Sequence, residues 1–138
     1  MAGASYASSS PSSTVADYLE DFSSGLPAEE LVKSYWHPSA MIVHPGGVLS
    51  FLEHQDSKKW LEGILAEISR NGWIRSDIVE SAECPLGDTI ALFSMKYKRV
   101  FADGSETFAG ATYTLLKSDR WRIAVLTNTD PKNLVRCD

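Results

Sequence analysis

The fold class is decided by residues 73–130, which read WIRSDIVESAECPLGDTIALFSMKYKRVFADGSETFAGATYTLLKSDRWRIAVLTNTD. Runs rich in β-branched and aromatic residues alternate here with clusters of turn-forming residues. This pattern predicts four strands, at residues 75–84, 89–101, 106–117 and 121–130. Because the connections are short, we expect an antiparallel meander, and strands of this length must twist and bend.

Two amphipathic helices are predicted near the start of the chain. Thr14 can cap the first, whose apolar residues follow the spacing i, i+3, i+4 and i+7: Val15, Tyr18, Leu19 and Phe22. The second is predicted to begin at Pro27 and to be ended by His37-Pro38, with a buried side formed by Leu31, Val32, Tyr35 and Trp36.

A hairpin and a third helix are predicted between these helices and the meander. Residues 40–52 contain two short apolar runs joined through Pro45-Gly46-Gly47, which is typical of a hairpin or a tight bend. Asp56 or Ser57 can cap the third helix, which Asn71-Gly72 ends. Its apolar side is formed by Trp60, Leu61, Ile64, Leu65 and Ile68.

Helices first and strands last predict the α+β class, with helices on one face of a strongly curved antiparallel sheet. The 138 residues suffice for one domain, which we expect at residues 14–130. Residues 1–13 are predicted to be a flexible tail, and residues 131–138 a C-terminal tail.

Charge and hydropathy exclude several classes of partner. The formal net charge of -5 does not favour nucleic acid, which is bound through clustered Lys and Arg. Lys96, Lys98 and Arg99 form an isolated trio, which is typical of a solvated face. No stretch approaches the ~18 apolar residues of a membrane span, and the N-terminus lacks the features of a secretory signal, so we expect no membrane partner and a cytoplasmic location.

The two cysteines, Cys84 and Cys137, do not indicate a disulfide framework. We predict that both are free thiols. The neighbourhood Glu83-Cys84-Pro85 supplies no base that would activate a nucleophile.

The order of two helices, a hairpin, a helix and a four-strand meander resembles the nuclear transport factor 2-like superfamily, with its ketosteroid isomerases, scytalone dehydratase and SnoaL-like polyketide cyclases. The segments 35–40 (YWHPSA) and 117–123 (KSDRWRI) are similar to the corresponding joints of SnoaL-like members. The resemblance implies a cone-shaped, strongly curved antiparallel sheet with three N-terminal helices packed on its concave face. It also implies a homodimer that pairs through the outer sheet face.

Three candidate catalytic residues follow from this resemblance. His44 begins a His-Pro-Gly-Gly segment where ketosteroid isomerases carry Asp-Pro-x-Gly with the proton-moving Asp, and an imidazole can move a proton near neutral pH. Tyr18 and Tyr113 lie near the positions of the two oxyanion donors of that family. Two of these residues have a second interpretation. His44 can be a turn residue with a local hydrogen bond, and Tyr18 can be part of the apolar core stripe of its helix.

The position of Tyr113 depends on the loop at residues 102–104. A two-residue turn places it opposite Ser94, whereas a three-residue loop with a bulge places it opposite Phe93. In the second case it shares a face with Tyr97 and Arg99. Alternation puts one set of β-strand residues on one apolar face: Phe93, Met95, Tyr97, Arg99 and Phe101.

Further side chains are candidates for the walls and polar contacts of a pocket. Arg99 can bind an anionic or carbonyl oxygen, or pair at the rim with Asp103 or Glu106. On the last strand, Asn128 can bond the substrate and Asp130 can orient a histidine, although a strand fraying into solvent explains both. The complete set predicted to bind substrate is Tyr35, Trp36, Trp60, Phe93, Met95, Tyr97, Arg99 and Asn128.

No metal site is predicted. Glu53, His54 and Asp56 lie near one another in sequence, but with His44 they give no ligand spacing, and capping accounts for Asp56. Nucleotide, dinucleotide and α/β-hydrolase motifs are absent.

Two functions are consistent with these residues. The first is a cofactor-independent isomerase, cyclase or dehydratase that acts by acid-base chemistry on a small hydrophobic oxygenated metabolite of polyketide or terpenoid type. The second is a non-catalytic module that binds a ligand or dimerises.

Overall fold

Three helices and six strands make up residues 10–137, the part of the chain that the structure, a computed structural model, describes. The helices are α1 (Pro11–Ser24), α2 (Ala28–Tyr35) and α3 (His54–Arg70). The strands are β1 (Trp36–His44), β2 (Gly47–Phe51), β3 (Trp73–Pro85), β4 (Ile90–Phe101), β5 (Glu106–Lys117) and β6 (Trp121–Thr129). Of the predicted tail at 1–13, residues 1–9 lie outside the described residues, and residues 11–13 are helical.

Helix α1 begins at Pro11 rather than after the predicted cap, Thr14. Ser10 is the N-cap: its hydroxyl accepts the Ser13 N–H at 3.1 Å, and the Ser13 hydroxyl accepts the Ser10 N–H at 2.8 Å. Pro11 fits the first helical position because an N–H there has no partner in the helix. Thr14 is buried within the first turns instead.

The boundary between α2 and β1 lies before the predicted one. Helix α2 ends at Tyr35, and β1 already contains Trp36, His37 and Pro38. Pro38 disfavours helical backbone at His37, and Trp36 pairs with Ile123 of β6, so this segment is extended.

Helix α3 also begins earlier than predicted, at His54, so Asp56 and Ser57 lie in its first turn rather than at its cap. Asp56 still stabilises the helix start, because its carboxylate accepts the N–H of Leu52 at 3.3 Å. The predicted end is confirmed: α3 stops at Arg70, and Gly72 has a φ of 88°.

The predicted α+β class is confirmed, with three helices on one face of a curved, open sheet of strand order β2-β1-β6-β5-β4-β3. One pairing differs from the predicted antiparallel sheet, since β1 and β6 are parallel. The reason is the path of the chain. Helix α3 carries it from β2 at one edge to β3 at the other, and the meander then returns until β6 meets β1.

The loop at residues 102–104 has three residues, which selects the longer of the two predicted alternatives. The Phe101 N–H donates to the Ser105 carbonyl at 3.0 Å, and Gly104 has a φ of 90° that suits glycine. Phe93 therefore lies opposite Tyr113.

The register divides the sheet into two faces. The inner face, which the helices cover, contains the aligned row Ile42, Leu126, Tyr113 and Phe93. The outer face contains the row Met41, Val125, Thr114, Leu92 and Cys84. Most of the buried core, including Trp36 and Leu31, lies between the inner face and the helices.

Residues 131–137, here called the C-terminal strap, cross the outer face. Cys137 forms a disulfide with Cys84 of β3, the Val135 N–H donates to the Ser94 hydroxyl at 3.0 Å, and Arg136 pairs with Glu80. The prediction of two free thiols was therefore wrong. The cysteines are 53 positions apart in sequence, and their proximity depends on the path of the strap across the sheet.

None of the helices formed by residues 10–137 has the length and apolar character of a membrane-spanning segment.

Candidate functional site

A cavity of about 140 Å³ lies between the inner face of the sheet and helices α1 and α3. Its walls are mostly apolar, and a few hydroxyl, guanidinium and amide groups reach into them. Such a combination suits an apolar guest that is oriented by a few polar contacts. The lining residues are Tyr18, Leu19, Phe22, Trp60, Leu61, Ile64, Ile68, Ser76, Tyr97, Arg99, Tyr113, Leu126 and Asn128.

The cavity brings together two buried phenols, Tyr18 and Tyr113. Burial raises the pKa of the Tyr18 hydroxyl well above its ordinary value, and burial, together with the nearby Tyr18 and Tyr97 hydroxyls, does the same to the pKa of Tyr113. Both hydroxyls therefore remain protonated at neutral pH. A guest oxygen can accept a hydrogen bond from either.

Edge-to-face ring contacts hold Tyr18 in place. Its ring centroid lies 6.1 Å from that of Trp36 and 5.5 Å from that of Tyr35. The Trp36 Nε1 is buried and has no hydrogen-bond partner within residues 10–137. The Trp36 side chain lowers the pKa of the Tyr18 hydroxyl, against the larger effect of burial.

Arg99 lines the cavity from β4. Its Nη2 donates to the Tyr97 hydroxyl at 3.3 Å, and its guanidinium lies 5.6 Å from the centroid of the Tyr97 ring. The rim pairs considered from the sequence do not form. Asp103 accepts hydrogen bonds from Ser105, and Glu106 pairs with Lys98 at 3.2 Å on the outer face.

His44 ends β1 and is not among the lining residues. Its Nδ1 accepts the N–H of Gly46 at 3.1 Å, which is the local turn contact that the sequence left open as an alternative. Its neighbour Val43 pairs with Thr127 of β6, and the residue after Thr127 is Asn128, which lines the cavity. The ring is half-buried. The structure thus groups Tyr18 with Tyr113 but does not bring His44 into the cavity wall.

The residues predicted to bind substrate fall into two groups. Trp60, Tyr97, Arg99 and Asn128 line the cavity. The others lie in the core behind it: Tyr35, Trp36, Phe93 and Met95. The Tyr35 hydroxyl donates to the Asp21 carboxylate, and the Asp130 carboxylate accepts the N–H of Lys132 at 2.9 Å rather than contacting a histidine.

The sequence placed five lining residues only on the apolar sides of helices and gave no role to two others, Ser76 and Leu126. The five are Leu19, Phe22, Leu61, Ile64 and Ile68. The Ser76 hydroxyl accepts the Trp73 indole N–H at 3.0 Å, and its own N–H donates to Ser23 of α1 at 3.1 Å. Irregular pairing along β3 hides which face Ser76 occupies. Leu126 could have been found, because it lies directly opposite Tyr113.

Residues 10–137 contain no group of three or more His, Cys, Asp or Glu side chains that could hold a metal ion. The ring of His54, which was considered for such a site, bonds the Trp36 carbonyl through Nε2 at 2.9 Å.

The chain is similar to known proteins in sequence pattern and in fold. A family model described as NTF2-like protein (DUF6841) matches residues 11–131. No curated protein sequence matches the chain.

Among solved structures, a candidate ketosteroid isomerase from Shewanella frigidimarina is 16% identical, with a TM-score of 0.69 over 89% of this chain and 97% of that chain. An NTF2-like protein with a cystatin-like fold from Novosphingobium aromaticivorans is 14% identical, with a TM-score of 0.66 over 84% and 76%. An NTF2-like superfamily protein from Salmonella enterica serovar Typhimurium is 15% identical, with a TM-score of 0.59 over 86% and 87%. At these identities the likeness concerns the fold. Since the family model spans nearly the whole described chain, this protein belongs to the NTF2-like family DUF6841.

Proposed function

We propose that this protein acts on a small apolar molecule with a carbonyl or hydroxyl oxygen, as a cofactor-independent isomerase, cyclase or dehydratase. Its substrate is a compound of polyketide or terpenoid type, or a fragment of one. The candidate ketosteroid isomerase among its structural relatives is consistent with this class of chemistry.

The observation that carries the proposal is the pair of phenols in one apolar cavity. Tyr18 and Tyr113 are protonated at neutral pH, as a tyrosine of ordinary pKa is, and burial raises the pKa of each further. Hydrogen-bond donors fixed in a site that excludes water stabilise a developing oxyanion more strongly than water does. Proton loss next to a carbonyl group creates such an oxyanion.

The cavity volume limits the guest. About 140 Å³ is close to the ~150 Å³ that accommodates one benzene-sized ring. One ring or a short chain therefore fits the cavity as it stands. A larger substrate requires α3 to move, since Trp60, Ile64 and Ile68 form that wall.

His44 is the proposed proton-moving group, and its turn contact sets a condition. Because Nδ1 accepts the Gly46 N–H, the neutral ring carries its proton on Nε2. Nε2 can accept a substrate proton only after the ring changes tautomer and releases the Gly46 N–H.

A non-catalytic carrier is the second candidate. Within the described chain, the residues that line the cavity include no histidine and no carboxylate. Phenols of raised pKa cannot serve as bases at neutral pH, so without His44 the cavity can bind and polarise a guest but cannot take its proton.

Conversion of cyclohex-3-enone to the conjugated cyclohex-2-enone, followed by absorbance, tests the catalytic candidate with a ring of the right size. We expect a rate above buffer that Tyr18→Phe or Tyr113→Phe lowers by about 100-fold or more. His44→Asn keeps a side-chain acceptor for the Gly46 N–H but cannot titrate, and it should lower the rate by about 100-fold.

Three other outcomes are informative. An unchanged rate in His44→Asn would remove His44 from the mechanism. Binding of the ketone with no turnover would support the carrier. Because Trp60 lines the cavity, a change in tryptophan fluorescence can detect this binding. Absence of both binding and turnover for this ketone, for related cyclic ketones and for cyclic acids would contradict both candidates.

A further inference from the structure

Arg99 is a cation in the cavity wall without an anionic partner. It lies on β4 between Ser76 of β3 and Thr107 of β5, which are both neutral. Its hydrogen bond and its ring contact both go to Tyr97, an uncharged phenol. No salt bridge joins Arg99 to a carboxylate of the described chain.

Three carboxylates on β3, on β5 and in the loop between β4 and β5 have other partners. Asp77 pairs with Arg75 at 3.1 Å, Glu106 pairs with Lys98, and Asp103 accepts hydrogen bonds from Ser105. Among residues 10–137, no acidic side chain lines the cavity, so we take the anion for Arg99 to come from the guest.

We infer that the guest carries a carboxylate, which Arg99 binds while the apolar part of the guest packs against Trp60 and Leu126. The inference rests on the proposed function, because it takes the cavity to be the site of the guest. A guanidinium offers several N–H donors in one plane and matches a carboxylate better than a lone carbonyl oxygen. It is half-buried here, so a neutral guest would leave it desolvated and uncompensated.

The site also places the carboxylate relative to the phenols. Arg99 lies near enough to Tyr113 to lower the pKa of that hydroxyl, against the larger effect of burial. Arg99, Tyr113 and Tyr18 all line the same cavity, so a carboxylate on Arg99 and the ring of the guest share that cavity with the two phenols. The substrate class is thus a small cyclic or unsaturated acid.

Benzoate and benzamide form a matched pair of probes, because they share ring and size and differ in charge. We expect calorimetry at neutral pH to give a dissociation constant for benzoate at least about tenfold below that for benzamide, since hydrogen bonds to charged groups are the stronger ones. Arg99→Gln should abolish this preference for benzoate over benzamide. Arg75→Gln removes the same charge from the adjacent strand, outside the cavity, and should keep the preference.

Equal binding of the two probes by the wild-type protein would overturn the inference and leave the proposed function standing. If benzoate, benzamide and cyclohex-3-enone all fail to bind, the proposed function fails and the inference fails with it. Arg99→Lys retains the charge and serves as the second variant if Arg99→Gln does not fold, as judged by thermal unfolding. A folded Arg99→Lys should lose part of the preference for benzoate over benzamide. An unchanged preference in a folded Arg99→Gln would overturn the inference.

Discussion

At the level of single residues, the buried phenols tie the cavity to the stability of the fold. In the unfolded chain Tyr18 and Tyr113 lose their protons near pH 10. In the folded chain burial raises both pKa values, so the folded protein holds these protons to higher pH. Their contribution to stability is complete below about pH 10 and is lost as the pH rises above it, because the folded state then binds more protons.

We therefore expect the free energy of unfolding to fall as the pH rises from about 10 to about 11, by up to ~1.4 kcal/mol per pH unit for each phenol. The double variant Tyr18→Phe/Tyr113→Phe should reduce this slope. Urea unfolding between about pH 8 and pH 11 measures the slope of the free energy of unfolding against pH. The measurements below about pH 9 are the internal control, because the stabilities of the two proteins should run parallel in that range. Equal slopes above pH 10 would contradict the assignment of raised pKa values.

At the level of elements, the C-terminal strap fixes the outer face of the sheet. The Ser94 hydroxyl contacts that of Thr112 at 2.9 Å, and both residues are buried. The Val135 N–H adds a further hydrogen bond to Ser94. A segment without helix or strand is thereby attached to β3 and β4.

Removing the disulfide should destabilise the protein. The bond closes a loop of 53 residues, and a constraint of this length on the unfolded chain corresponds to ~2–4 kcal/mol. We expect Cys84→Ser/Cys137→Ser to lower the free energy of unfolding by this amount in urea. The wild-type protein measured with a reductant is the matched comparison, and equal unfolding midpoints for oxidised wild type and double variant would contradict the prediction.

The same bond gives a test of location. A cytoplasmic protein is kept reduced, and disulfides persist mainly in oxidising compartments. Labelling free thiols in intact producing cells distinguishes a reducing from an oxidising location. Only reduced Cys84 and Cys137 react with the label.

At the level of the whole molecule, the strap divides the outer face into a covered half and an open half. The covered half contains Glu80, Cys84 and Ser94. The open half lies at β1 and β2, where Met41 is 38% exposed and Val48 is 57% exposed. If the protein forms a homodimer through the outer face, a second copy has this half available.

We expect sedimentation to give a dimer of the wild-type protein and a monomer of Val48→Lys, because a charge within an apolar contact is costly to bury. Leu52→Lys is the control: Leu52 is 82% exposed and lies beyond the end of β2. A wild-type monomer, or an undisturbed dimer in Val48→Lys, would contradict pairing through this half.

The sequence by itself determined the α+β class, the four long strands, the helix end at Asn71-Gly72 and the apolar stripe that contains Tyr18, because periodicity and turn chemistry act over a few residues. It limited the register of β4 against β5 to two alternatives. Only the tertiary structure chose between them and brought Tyr113 to the inner face opposite Phe93.

The tertiary structure alone also decided the parallel pairing of β1 with β6, the disulfide between Cys84 and Cys137, and the turn contact of His44. The first two join segments that are distant along the chain, and their contacts depend on the path of the backbone rather than on local preference. The contact of His44 with Gly46 is local. The position of the His44 ring relative to the cavity, however, depends on how β1 pairs with β6. Local rules therefore gave the elements and their faces, and long-range packing gave the site.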